Sequence, residues 1–334
     1  MVSRHPDQDR TEHAYRAICS ALPPGEHHAV CDRAADMKRL PIATHGIYRD
    51  DEDCVPVRRA CRERLERWHV PHALLRLETS LGATTVLTAG TNTGRPPIVL
   101  LPGAGLSAAS ALATVCALHE HHRVLLPDLP GEPGLSSSRR PHRHAYDVYG
   151  RWLDELIPQL RPDPVIVVGH ALGAAIALAA TPSDRIAGLV LVNPAGITAT
   201  KRTWQLTRLR AKWMLHPTLD NSEQLLRYLS GSPFTPDMSL VCWYSMIAEH
   251  CFPGRLPRRL PARMIRRWAG EVPVIVADGE CDPLLDRNRL RRRVRSLLGA
   301  EVQLLPGCGH LGLREAPASV ASLISALPAA PFAP

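Results

Sequence analysis

Six short apolar runs recur along this chain, and each closes on a residue that ends a strand. They are PPIVLLPG (96–103), HRVLLPDLPG (122–131), PVIVVGH (164–170), AGLVLVNPAG (187–196), VPVIVADGE (272–280) and AEVQLLPGCGH (300–310). Runs of Val, Ile and Leu this short, bounded by Gly, Pro, Asp or Asn, read as strands, and helical patterns fill the intervals between them. Strands that are apolar at consecutive positions are buried on both faces, and their alternation with helices implies a parallel sheet covered on both sides. Two earlier runs, ALLRLETS and ATTVLTAG, meet at Gly82 and read as an antiparallel hairpin. The expected fold is α/β: a roughly eight-stranded, mostly parallel sheet with helices on both faces. Reactive groups in such sheets gather beyond the carboxyl ends of the strands. Asp128, Ala171, Asn193, Asp282 and His310 fall there.

The spacing also divides the chain. Residues 1–65 read as a polar, helical N-terminal extension, with loops at Pro23-Pro24-Gly25 and an acidic run at Asp50–Asp53. Residues 70–196 and 271–330 carry the strand pattern. The single long gap, 197–270, holds helical segments punctuated by Pro217, Pro233, Pro236 and Pro253, and reads as an inserted helical lid. Four of the six tryptophans, Trp204, Trp213, Trp243 and Trp268, lie in it. An apolar pocket beneath such an insertion is the expected home of a small-molecule or peptide substrate, with Gly103, Trp204 and Trp243 the candidate contacts.

Composition excludes several functions. The chain has 334 residues, of which 45% are hydrophobic and 22% charged, the balance of a globular protein with a sizeable core. The opening MVSRHPDQDR has no apolar stretch of the secretory kind, and the longest apolar run, near 164–180, is broken by Gly169 and His170. No membrane span is expected. Nine cysteines without a C-x-x-C pair fit a reducing, cytoplasmic location better than a disulfide framework. Residues 195–298 carry 18 Lys/Arg against 9 Asp/Glu, a balance of +9, densest in RNRLRRRVR (287–295). No aromatic residues interleave there to stack on bases, so a solvated helix face is expected rather than nucleic-acid binding. His119, His121 and His122 lack the spacing of metal ligands, and no metal or cofactor is expected.

The most informative stretch is VIVVGHALGA (165–174). Four β-formers run into Gly169, His170, Ala171, Leu172 and Gly173, after which the chain is Ala- and Leu-rich. Strand, tight turn and helix are the setting of a nucleophile elbow, G-x-S-x-G, but the central residue is Ala171.

Five pieces in order resemble the α/β-hydrolase superfamily, over about residues 70–330: LLPGAGLSAAS (100–110), PDLPGEPGLS (127–136), GHALG (169–173), GECDPL (279–284) and GCGHLGLREAP (307–317). The resemblance implies a triad in the order nucleophile, acid, histidine, falling on position 171, Asp282 and His310. It implies an oxyanion hole built from the N–H groups of Ala104 and Leu172, at the amino end of a helix. Asn193 and Asp128 are the other acid-side candidates, both better suited to holding loop backbones, and His170 is expected to pack. Cys281 and Cys308, flanking the acid and the histidine, read as buried thiols. Pro102 replaces a histidine common in the family, and Ala174 a second glycine.

Ala171 leaves three readings open. The leading one is a serine esterase, amidase or lactonase whose nucleophile has been changed to alanine. In the alternative, alanine is native and the His310/Asp282 pair works as a general base, as in an epimerase, lyase or cyclase. In the third, the pocket binds without catalysis. The bond acted upon and the oligomeric state stay open.

Overall fold

The computed structural model describes residues 44–141, 144–160, 164–254 and 256–328. Its strands are β1 (Thr44–Gly46), β2 (His72–Thr79), β3 (Gly82–Ala89), β4 (Ile98–Leu101), β5 (Val124–Pro127), β6 (Arg139–Pro141), β7 (Val165–His170), β8 (Ile186–Val192), β9 (Val274–Gly279) and β10 (Val302–Leu305). Eight of these form one sheet in the order β10-β9-β8-β7-β4-β5-β3-β2. Only the β2–β3 and β3–β5 pairings are antiparallel; the rest are parallel. Every residue of β4, β5 and β7 is buried, which is why these strands are written in Val, Ile and Leu without polar alternation.

Helices cover both faces. They are α1 (Cys54–Glu66), α2 (Leu112–Cys116), α3 (Ala145–Gln159), α4 (Leu172–Ala179), α5 (Trp204–Leu215), α6 (Leu219–Leu229), α7 (Met238–His250), α8 (Ala262–Arg266), α9 (Arg287–Leu298), α10 (Gly312–Glu315) and α11 (Pro317–Ser325). Alternate side chains of the central strands feed two cores. Ile98, Leu100, Ile166 and Val168 join the face that takes α1, α5, α6 and α7. Val99, Leu101, Val165 and Val167 join the face that takes α3 and α4, with Trp152 fully buried between them. No helix among the described residues is long and apolar enough to cross a membrane.

The insertion between β8 and β9 is helical for a local reason. Thr203, Thr218 and Asp237 each accept a backbone N–H three residues on, from Leu206, Asn221 and Leu240, so α5, α6 and α7 each begin on a side-chain cap. The arginine-rich run becomes α9, which buries Leu290, Val294, Leu297 and Leu298 and exposes most of its arginines.

The expectation of a helical N-terminal extension with loops is corrected at Thr44–Gly46. There the chain forms β1, paired antiparallel with β6, and Ile47 is fully buried. The Ile47 N–H donates to the Ser138 carbonyl, and its own carbonyl accepts from Phe252, so the segment is stitched to two distant loops. Pairing of this kind is decided by remote partners, and three residues reading Thr-His-Gly give no alternation to announce it. Residues 1–43, and with them the turn at Pro23-Pro24-Gly25, lie outside the described residues.

The turn between β7 and α4 depends on its glycines. A Cβ on Gly173 would sit 2.2 Å from the Leu101 carbonyl oxygen, and one on Gly169 would sit 2.6 Å from the Ala174 Cα and backbone N. Both clashes are with backbone, which cannot rotate away. Gly173→Val should therefore cost at least about 3 kcal/mol, at the upper end of overpacking losses. Urea unfolding measures it, and a loss under about 1 kcal/mol would show that the strand and helix are not held this close.

Candidate active site

The carboxyl end of β7 delivers Ala171 into a conformation that L-residues avoid, with φ 47° and ψ −106°. Such a conformation costs on the order of 1–3 kcal/mol and survives only where the surroundings impose it. Here the Ala171 N–H donates to Val192, and its carbonyl accepts from Ala175 and Ala195. The turn is thus held by β8 on one side and α4 on the other. Alanine gains nothing from this strain; what the turn achieves is to push one Cβ above the sheet.

His310 follows β10. Its backbone N–H donates to Leu229 at 2.6 Å, and its carbonyl lies 2.8 Å from Nε2 of His170. The ring Nδ1 lies 2.8 Å from Oδ2 of Asp282, whose side chain is only 1% exposed. With Nδ1 engaged on the carboxylate, the imidazole presents its other nitrogen, Nε2. The second Asp282 oxygen accepts the Leu284 N–H at 2.7 Å. Burial alone would lower the His310 pKa, but the charge and hydrogen bond of Asp282 outweigh it, and the balance is upward. For Asp282 burial would raise the pKa, and the same pairing with His310 brings it below the usual carboxylate range. His170 is driven down to about 4 by burial and by its neighbour His310, so it is neutral and donates Nε2–H to the His310 carbonyl.

A second carboxyl stands behind this pair. Asp278, at the end of β9, is 1% exposed, and burial together with the Asp282 charge pushes its pKa up to about 7. Asn193, itself at φ 45°, bridges the group: its amide nitrogen lies 3.2 Å from Asp278, 2.9 Å from Asp282 and 3.0 Å from the Gly309 carbonyl. Asp128 is elsewhere. It accepts the N–H groups of Ala108 and Leu135, both at 2.6 Å, and so ties together the loops after β4 and β5.

The loop after β4 is fixed at Gly105. The Gly105 N–H donates to Glu132 at 2.7 Å, and its carbonyl accepts from Trp243 Nε1 at 2.7 Å. Glu132, 5% exposed, is held in turn by Arg140 at 3.2 Å. The neighbouring Ala104 N–H and the first helical N–H of α4, on Leu172, make no hydrogen bond to another described residue.

These groups meet at one cavity of about 140 Å³. Gly103, Ala104, Ala171, Leu172, His170 and His310 line its floor. Its roof comes from α5, α6 and α7 through Leu206, Arg210, Trp213, Leu225, Tyr244 and Ile247. Asp282 stands behind His310, outside the wall.

Two of the expected contacts are corrected. Trp204 is 79% exposed and does not line the cavity. It opens α5 outside the stripe of Leu206, Leu209 and Trp213, whose i, i+3, i+7 spacing is the signal that points to Trp213 instead. Trp243 is buried and braces the Gly105 carbonyl without lining the cavity. Of the two thiols expected to be buried, Cys308 is, but Cys281 is exposed, because it sits on the outer side of the loop after β9. Asp278, Glu132, Arg210 and Tyr244 were not singled out from the sequence. A carboxylate at the end of an apolar strand, as in VIVADG, was the available cue for Asp278.

Residues 98–323 match the alpha/beta hydrolase family. Lipase LipV of Mycobacterium tuberculosis is 27% identical over 249 residues, covering 66% of this chain and 94% of the lipase. The Magnesium-chelatase 30 kDa subunit of Rhodobacter capsulatus is 36% identical over 97 residues, 28% of this chain and only 34% of that subunit. The structure of carboxylesterase CesB from Bacillus subtilis superposes with a TM-score of 0.68 at 16% identity, over 83% of this chain and 98% of that one, a likeness of fold. The chain belongs to the alpha/beta hydrolase family.

Proposed function

We propose that this protein is an esterase- or lactonase-type hydrolase acting on a small carbonyl compound beneath a lid formed by α5, α6 and α7, with its covalent route interrupted at Ala171. One observation carries the reading. His310, backed by Asp282, and the two unengaged N–H groups of Ala104 and Leu172 surround a strained turn that presents a bare Cβ. A hydroxyl at that Cβ would give its proton to His310 Nε2 and attack the carbonyl carbon. The oxyanion would then form against Ala104 and Leu172, at the positive end of α4. The test is to restore that hydroxyl. Ala171→Ser should label with a fluorophosphonate probe, and Ala171→Ser combined with His310→Ala should not. A folded Ala171→Ser protein that stays unlabelled sinks the reading.

A second reading has an observation of its own. The Asn193, Asp278 and Asp282 network keeps a buried imidazole basic, and a general base needs that without any nucleophile. His310 would then take a proton directly from a substrate carbon or from water. The chain as it stands should in that case exchange a substrate α-proton with solvent deuterium, and His310→Ala should not. Absence of both labelling and exchange favours a pocket that only binds.

A further inference from the structure

Two arginines stand in the cavity wall, and among the described residues only one of them is paired with a carboxylate. Arg140 spreads its donors over Glu132, the Gly131 carbonyl and the Phe252 carbonyl. Arg210, on α5, makes a single hydrogen bond, to the Gly254 carbonyl at 3.2 Å, and has no carboxylate partner among the described residues. The Tyr244 hydroxyl, on α7, lines the same cavity and bonds to no described residue. Its ring and backbone are nonetheless fixed: Trp213 donates Nε1–H to the Tyr244 carbonyl, and the two rings lie 5.9 Å apart. Burial pulls the Arg210 pKa below its usual value, and pushes the Tyr244 hydroxyl up to about 12. Tyr244 is thus a neutral donor beside a cation that no carboxylate among the described residues pairs with. Arg210 is half-buried; a guanidinium partly withdrawn from water without a counter-charge is costly, and a bound anion relieves that cost.

We infer that the substrate carries a carboxylate, seated on Arg210 and Tyr244, and an apolar body that packs on Leu206, Trp213 and Ile247 while its reactive carbon faces Ala171 and His310. One planar fork of N–H donors plus one phenolic O–H matches two carboxylate oxygens. With Arg140 neutralised by Glu132, Arg210 offers one positive charge to one negative charge, whereas a phosphate dianion would leave a second charge uncompensated. The inference rests on the reading of this cavity as the substrate site, but its test needs no turnover.

Hexanoate and its neutral isostere hexanamide are the probes, titrated at pH 7.5 by calorimetry into the full chain as it stands, with intrinsic tryptophan fluorescence as a second readout. Hexanoate should bind at least about tenfold more tightly than hexanamide, the scale of a charged hydrogen-bonded contact. Arg210→Gln should erase that preference and leave hexanamide binding unchanged, and Tyr244→Phe should reduce the preference severalfold. Circular dichroism and unfolding midpoints check that both variants fold. Equal binding of the two probes, no binding of either, or a preference that survives Arg210→Gln overturns the inference. Labelling of Ala171→Ser without a hexanoate preference removes the carboxylate and leaves the hydrolase reading. A hexanoate preference without labelling does the reverse.

Discussion

Changing Ala171 to serine is expected to raise kcat/KM for a p-nitrophenyl ester by about 10⁴- to 10⁶-fold over the unmodified chain, the range lost when such nucleophiles are removed from enzymes that use them. That is about 5–8 kcal/mol of barrier. A gain this large is reasonable because nothing else in the site has to be built. His310 already holds Asp282 at 2.8 Å, the Ala104 and Leu172 N–H groups are unengaged by any described residue, and the turn already occupies the strained φ of 47°. Serine adds one atom to an alanine Cβ without changing the backbone it sits on. Initial rates with p-nitrophenyl butyrate, measured beside the unmodified chain, decide the matter. A folded Ala171→Ser protein that gains less than about tenfold would mean that the site has drifted away from acyl transfer, and the direct-base reading would take its place.

The second large effect is expected from Asp282 in the serine-restored protein. Ala171→Ser with Asp282→Asn should lose about 10⁴-fold in kcat relative to Ala171→Ser alone, because an amide no longer holds Nδ1–H and the imidazole adopts the wrong tautomer. The pH profile carries an independent signature. The base must be neutral to act, so activity rises as pH passes the His310 pKa. With Asp282 present that pKa lies above the ordinary histidine value, and the rising limb falls above about pH 6.5. Removing the two carboxyls that raise it most, by Asp278→Asn and Asp282→Asn together, leaves burial opposed only by the smaller pull of Glu315 and should move the limb down. A limb that stays in place would mean that a group other than His310 is titrating.

Much of the fold was legible in the sequence because its signals are local. Val165–Val168 must form a buried strand whatever lies beside them, and Gly169 and Gly173 mark a turn too tight for side chains. The order of the motifs then brought Ala171, Asp282 and His310 to the same end of the sheet. Thr203, Thr218 and Asp237 likewise announce their own helices, because a cap is satisfied within three residues.

The remainder depended on partners far away in the chain. Trp204 and Trp243 read alike in sequence, yet α5 turns the first to solvent, while packing of α7 over the loop after β4 sends the second to the Gly105 carbonyl. Glu132 and Arg210 lie in different segments, and only the folded chain gives Glu132 a cation and leaves Arg210 without a carboxylate among the described residues. Asp278 could be numbered from the sequence, but its place behind Asp282, 85 positions from the Asn193 amide that bridges them, could not. The sequence by itself determined the sheet, its turns and the order of the reactive positions, since periodicity and backbone sterics act over a few residues. Which polar groups face the cavity, and which are satisfied there, was decided only when the tertiary structure brought distant charges together and removed the water that would otherwise have solvated each alone.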